Sequence, residues 1–297
     1  MADHQNPSGA TAAVPALPWT GERYVPELGG QIALEHLHRY AFACGLSAGK
    51  DVLDIACGEG YGSALLAANA RSVVGVDIAA DVVQHAEARY GRSNLSFRKG
   101  ACHQIPLAAR SVDLVVSFET IEHVDRHELM LAEIKRVLRS GGTLLISSPE
   151  KSQYSDAVNQ SNPFHVKELY NDEFRALLAA HFRHVAVGGQ RVVFGSAILM
   201  DDPGGPVRSY HWNGVTHAGG PGMSQPRYLI ALASDQPLPA AGGGVFEQPI
   251  NDSEIIQGWA RAVHERDQQI ASLTARNAEL TARLEERDAP GDGPATT

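Results

Sequence analysis

Apolar residues along this chain gather in short runs separated by longer amphipathic stretches. The runs are DVLDIA (51–56), SVVGVD (72–77), LSFRK (95–99), VDLVVSF (112–118) and TLLISS (143–148). Between them, SALLAANA, DVVQHAEARY and HELMLAEIKRVL carry apolar positions at helical spacing. Near-continuous apolar strands alternating with helices predict a parallel sheet covered on both faces. SGG at 140–142 is expected to close the helix before the fifth run, with glycine in the C-terminal position. A later run, RYLIALA (227–233), predicts a last, antiparallel sheet strand.

The flanks read differently. Residues 1–18 are small, polar and Pro/Ala-rich and are expected to be disordered, as are 289–297. Residues 19–48 form an N-terminal arm, and 49–235 the main domain, with a Gly/Pro-rich insertion at 201–225. A linker, 236–251, leads to a helix over 252–288. Val263, Ile270, Asn277 and Leu284 repeat every seven residues in that helix, with Leu273 and Leu280 on the complementary positions. This is a short coiled-coil pattern, interrupted by Arg266 and Arg287, and a homodimer is its expected product. The alternative is a helix lying against its own domain.

Composition narrows the classes. The net charge of −9, from 34 acids and 25 bases, argues against a nucleic-acid partner. Cys44, Cys57 and Cys102 are odd in number and lack CxxC spacing, as expected of reduced thiols in the cytoplasm. The N-terminus has neither the basic nor the apolar part of a signal peptide, and no run is long enough to span a membrane.

The first candidate chemistry is VLDIACGEGYGS (52–63), an apolar strand followed by Gly58, Gly60 and Gly62 and then a helix. Glycines permit a tight turn and a close backbone approach to a ligand. Asp54 lies inside the strand, where an unpaired carboxylate is costly. Asp77 ends the next strand, where an acid can accept both hydroxyls of a ribose. The third glycine comes one residue early for GxGxxG, and Ser63 takes its place. With an acid at Glu59 and no base nearby in sequence, the loop suits a ligand without phosphate better than a dinucleotide.

Taken in order, VLDIACGEGYGS, VVGVDI, IPLAARSVDLVVSFETIEHV and EIKRVLRSGGTLLISSPE resemble the class I S-adenosylmethionine-dependent methyltransferases. The resemblance implies an α/β fold: a Rossmann-like seven-stranded sheet with helices on both faces. It implies that Asp54, Ala56, Gly58, Gly60 and Asp77 line the cofactor pocket, with Ile78 against the adenine and Phe118 and Glu119 beyond. A site after the third strand usually carries an Asp for the adenine amino group. Here it reads Ala101-Cys102, a departure from the family pattern. The flanks WTGERYVPELGGQIALEHLHRY and NPFHVKELYNDEF resemble bacterial methyltransferases found with glycosyltransferases in surface-polysaccharide and glycolipid pathways. That implies O-methylation of a saccharide or glycoconjugate hydroxyl, and a glycosyltransferase as a further partner. In such enzymes the arm caps the cofactor, so Arg23 and Tyr24 would reach the cofactor carboxylate or the acceptor; the alternative is that Trp19 and Tyr24 only anchor the arm. Rival readings are a quinone, polyketide or other small-molecule acceptor, a small-RNA methyltransferase, and a cofactor-binding scaffold that gathers partner enzymes.

The second candidate is FETIEH (118–123). Loops at the carboxyl ends of parallel strands line the ligand crevice. Glu119 and Glu122 are three apart, so a helical turn puts them on one face, and His123 follows directly. His165, in NPFHVKE, follows the fifth strand. Three readings stand. Glu119, Glu122, His123 and His165 hold a divalent cation such as Mg²⁺, an arrangement similar to ubiquinone-biosynthesis O-methyltransferases and small-RNA 2′-O-methyltransferases. Alternatively His123 or His165 is a metal-free general base. Or the acid and imidazole only brace the loop.

Overall fold

The computed structural model describes residues 17, 23–26, 29–193, 208–212, 217–247 and 253–288. Trp19 lies outside them. The chain divides into two units, residues 1–246 and 247–297.

In the first unit, five strands run parallel: β1 (Asp51–Ile55), β2 (Ser72–Asp77), β3 (Leu95–Lys99), β4 (Val112–Ser117) and β5 (Leu138–Pro149). Two more complete the sheet, β6 (His184–Gln190) and β9 (Tyr228–Ser234). The order is β3-β2-β1-β4-β5-β9-β6, and β9 is antiparallel to both of its neighbours. The expected last strand is therefore present, but it lies inside the sheet. The hydrophobic runs did not show β6, whose exposure alternates residue by residue at the sheet edge.

Side chains alternate across each strand, so the sheet has two cores. Leu53 and Ile55 face one with Val115, Ile134 and Phe174, packing α4 (His127–Val137) and α6 (Asn171–His181). Val52, Val73, Leu114 and Val116 face the other, against α1 (Gly30–Ser47), α2 (Tyr61–Leu66) and α3 (Ala80–Tyr90). A four-residue helix, α5 (Lys151–Tyr154), follows β5.

One local expectation is corrected. SGG does not cap α4: that helix stops at Val137, and β5 begins at Leu138 without a connecting turn. Gly141, at φ +86°, instead lies in the early part of β5, where the register against β4 shifts between Val112 and Leu114. The described part of the Gly/Pro-rich insertion is a hairpin of β7 (Arg208–Trp212) and β8 (His217–Pro221). In the second unit, α7 (Glu254–Asp288) is a single helix of 35 residues.

Gly62 marks how tightly α1 and α2 meet. A Cβ there would stand 2.0 to 2.4 Å from the ring of Tyr40. Gly62→Ala is expected to cost about 1–3 kcal/mol through overpacking, read as a lower denaturant midpoint. A midpoint equal to the wild type would mean the Tyr40 ring is not fixed.

Candidate active site

The carboxyl ends of the parallel strands carry most of the singled-out residues. After β1 the backbone turns through Ala56 (φ +59°), Gly58 (φ +55°) and Gly60 (φ +98°). Left-handed angles cost an alanine more than a glycine, and such strain collects at ligand sites. Gly60 has a second reason to be glycine, since a Cβ there would meet Ala86 at 2.8 Å and Phe97 at 3.0 Å.

Asp77 closes the loop onto the end of β2. Its Oδ2 accepts the Gly58 N–H at 3.0 Å, and its Oδ1 accepts the Ala79 N–H at 3.0 Å. Beside it Ile78 is 68% exposed, an apolar face open to a planar ring. Asp54 is wholly buried; Ser63 Oγ donates to it at 2.6 Å and Tyr40 Oη at 3.2 Å. Burial pushes its carboxyl up to about 7, against the opposing hydrogen bonds from Ser63 and Tyr40.

Glu59 reads differently in space than in sequence. It is buried, with Arg89 Nη1 at 2.9 Å, His85 Nε2 at 3.0 Å and the Tyr90 hydroxyl donating at 2.9 Å. The bases missing from its sequence neighbourhood come from α3. The carboxylate is thus a brace between loop and helix, and it does not bear on what the loop binds.

Ala101 and Cys102 follow β3 at the same edge and are half-buried. Cys102 packs against the core, and burial pushes its thiol up, so it stays protonated. Phe118 is buried, edge-on to Tyr40 at 5.2 Å. Tyr24 is buried too, stacked on His36 at 4.8 Å and edge-on to Tyr61 at 5.1 Å. That is the packing of an anchor residue. Arg23 lies over the glycine loop; a Cβ on Gly58 would meet its Cγ at 3.5 Å.

FETIEH splits in two. Glu119 stands at φ +47° and leaves the candidate cation cluster. Its Oε1 accepts Ser147 Oγ at 2.6 Å and lies 2.6 Å from Nη1 of the buried Arg39. Arg39, from α1, also stacks over the Tyr228 ring at 4.7 Å, and the Tyr228 hydroxyl donates to the buried Glu35 at 3.0 Å. Sequence reasoning missed this network. Its signal was an acid and an arginine four apart, Glu35 and Arg39, on a helix face that has to be buried.

Glu122, His123 and His165 do come together. Among the described residues their ligand atoms lie within 4.8 Å of one another. A short 3₁₀ turn, Ile121–His123, presents the first two. The Glu122 carbonyl accepts the N–H groups of Val166 (2.8 Å) and Lys167 (3.0 Å), which pins the His165 loop to the turn. His123 Nδ1 donates to the Phe164 carbonyl at 2.9 Å, so the Nε2 lone pair turns toward Glu122 Oε1, 3.9 Å away. His165 Nδ1 is 2.6 Å from Glu168 Oε1, and the two imidazole centroids are 4.9 Å apart. Glu122 is buried, and neither carboxylate oxygen has a hydrogen-bond partner among the described residues. Burial first, then the charge of Glu119, holds its carboxyl well above the usual range.

Comparison with known proteins gives the family of the chain. The family described as "Methyltransferase domain" matches residues 53–146. A Mycolicibacterium smegmatis protein described as a probable S-adenosylmethionine-dependent methyltransferase is 41% identical over 169 residues, covering 55% of this chain and 64% of that one. One from Mycobacterium tuberculosis with the same description is 37% identical over 187 residues, covering 62% of this chain and 68% of its own. A chain from the complex of the Haloferax volcanii Trm112 methyltransferase activator with a methyltransferase superposes with a TM-score of 0.50 at 21% identity, over 72% of this chain and 92% of that one, which speaks to the fold alone. The chain belongs to the family of S-adenosylmethionine-dependent methyltransferases. Among the described residues no helix is long and apolar enough to cross a membrane.

Proposed function

We propose that this chain transfers a methyl group from S-adenosylmethionine to a hydroxyl oxygen of a saccharide or glycoconjugate. The cofactor, when bound, supplies an electrophilic methyl carbon on a cationic sulfur. The residues present fit it: a left-handed glycine cradle at 56–60, an acid on either side at Asp54 and Asp77, and the open face of Ile78.

The pairing of His123 and His165 beside the buried Glu122 carries the reading. A hydroxyl attacks carbon well only when its proton has somewhere to go. A neutral imidazole accepts it near pH 7. His123 is turned for this by the Phe164 carbonyl, whereas His165 has Nδ1 on Glu168 and Nε2 accepting from Asn162 Nδ2 at 3.0 Å, a bond it would give up to take a proton or a cation. The orphaned Glu122 supports the cation route as well. A buried carboxyl without a hydrogen-bond partner is costly, and a divalent cation held with the imidazoles would offset that and acidify a bound hydroxyl. Two imidazoles and one carboxylate suit Mn²⁺ at least as well as Mg²⁺.

The saccharide class follows from the flanking segments, which resemble glycan-pathway methyltransferases. The same resemblance supports a glycosyltransferase partner, and the α7 pattern supports a homodimer. A second reading, a quinone, polyketide or similar acceptor, draws on Phe164 and Val166, which are exposed on either side of His165. That apolar rim fits a planar or prenylated molecule.

Calorimetric titration of Mg²⁺ and then Mn²⁺ into metal-stripped protein saturated with S-adenosylhomocysteine separates the routes. Saturable binding lost in Glu122→Ala is the expected result. Heat identical in the variant, or none in the wild type, would sink the cation route and leave the imidazoles as base. Formation of S-adenosylhomocysteine on hydroxylated saccharides, compared with quinols, decides the acceptor class. Cofactor binding with no turnover on either would favour a scaffold instead.

A further inference from the structure

Taken by itself, α7 carries an apolar stripe along one side. Within the second unit nothing covers Trp259, Val263, Ile270, Leu273, Leu280 and Leu284 among the described residues. An isolated helix gains nothing from such a stripe, so the stripe calls for a partner surface of matching spacing. The seven-residue repeat places Ile256, Val263, Ile270, Asn277 and Leu284 on one set of seam positions. The other set is Trp259, Arg266, Leu273, Leu280 and Arg287. Five repeats are enough for a two-stranded coil.

Of the three polar seam residues, Arg287 falls at the helix end, and Arg266 and Asn277 decide the partner and its direction. In a parallel pair each seam residue meets its own copy. Arg266 would then face Arg266, setting two guanidinium charges together in an apolar layer, which is destabilising. In an antiparallel pair each residue of the first set meets one of the second. With the helices in full overlap, Ile270 meets Leu273, Val263 meets Leu280 and Leu284 meets Trp259 of the second copy. In that same register Asn277 meets Arg266. The two polar residues share a layer, and the Asn carbonyl accepts from the guanidinium. The layer occurs twice, once at each end of the apolar centre, and the outer Ile256–Arg287 layers fall at the fraying ends.

We infer that two copies of this chain associate through α7 as an antiparallel coiled coil, in the register that pairs Asn277 with Arg266 of the second copy. The inference rests on the homodimer reading above and adds its direction. A parallel pair in register does not join Asn277 to Arg266, whereas this register does and keeps the Ile270–Leu273 and Val263–Leu280 layers apolar.

Sedimentation equilibrium of the full chain tests it. The wild type is expected at twice the chain mass, and Ile270→Asp/Leu273→Asp at the single-chain mass. The charge exchange Arg266→Glu/Asn277→Lys gives the direction. In the antiparallel register it makes two Glu–Lys layers, so the dimer is retained. In a parallel pair it sets Glu on Glu and Lys on Lys, weakening the dimer by roughly a hundredfold or more. Far-ultraviolet circular dichroism and cofactor binding check that each variant is folded, and Arg266→Leu/Asn277→Leu checks that the helix tolerates change at both positions. A wild type of single-chain mass, or of three chains or more, overturns the inference together with the homodimer reading. So does a dimer that survives Ile270→Asp/Leu273→Asp, because its interface is then elsewhere. A wild-type dimer lost in the folded charge exchange overturns the antiparallel register alone.

Discussion

Asp77→Ala is expected to weaken S-adenosylhomocysteine binding by roughly a hundredfold or more. An ionised acceptor contributes about 1.5–3 kcal/mol per hydrogen bond, and the family resemblance has this carboxylate taking both ribose hydroxyls. The loss has a second source in the loop itself. Asp77 already holds the N–H groups of Gly58 and Ala79, each at 3.0 Å, and so fixes the left-handed turn that cradles the ligand. Alanine removes the ligand contact and leaves two backbone donors to water. Asp77→Asn keeps one acceptor oxygen and should fall between the two. Calorimetric titration of the three proteins gives the order directly. An alanine variant that binds within about threefold of the wild type, against the hydrogen-bond magnitude above, would mean the ribose is held elsewhere.

Asp54 should make the ligand-free protein less stable as pH rises. Its carboxyl is raised in the fold from 3.8 to about 7, burial being the main cause. A raised carboxyl favours the protonated fold. Its contribution is therefore complete below the unfolded value and is lost as pH climbs through the folded one. The window runs from about 4 to about 7, and the expected loss between pH 4.5 and 8 is on the order of 3 kcal/mol. Other carboxylates act in the opposite sense; the Arg71 side chain, for example, holds Asp51 low. The single-residue effect is read as the difference between wild type and Asp54→Asn. Asparagine keeps a carbonyl that accepts from Ser63 or Tyr40 and has no charge to bury. The urea midpoint of the variant should gain on the wild type as pH rises. Parallel pH curves for the two proteins would show that Asp54 is ionised throughout.

Much of the first unit was legible because burial on both faces leaves an obvious mark. DVLDIA, SVVGVD and VDLVVSF are strands since both sides of each meet a core. The edge strand β6 left no such mark, because its outward residues are under no pressure to be apolar. The glycine loop was legible through the angles it needs. Glu59 was misread because its partners, His85, Arg89 and Tyr90, arrive on a helix some 26 to 31 residues away. The same limit hid Arg39, whose partners Glu119 and Tyr228 come from distant parts of the sheet. The spacing grouped Glu119 with Glu122, His123 and His165, and only the last three lie together among the described residues. An i, i+3 pair shares a face only where the backbone is helical, and Glu119 sits at a left-handed angle before the turn begins.

The position of β9 has a consequence for how the protein is made. Leu145 of β5 pairs with Leu232, and among the described residues β6 pairs within the sheet only with β9. On the ribosome, β5 therefore emerges long before the strand that covers it. Until residues 228–234 follow, its apolar ladder stays open, and β6 has nothing to join. Contacts this far apart in sequence slow folding, and open strand edges invite association with other chains. The last core strand to leave the ribosome is the wedge that joins the two parts of the sheet, so a nascent chain cut short before Tyr228 is left with an uncovered edge at β5.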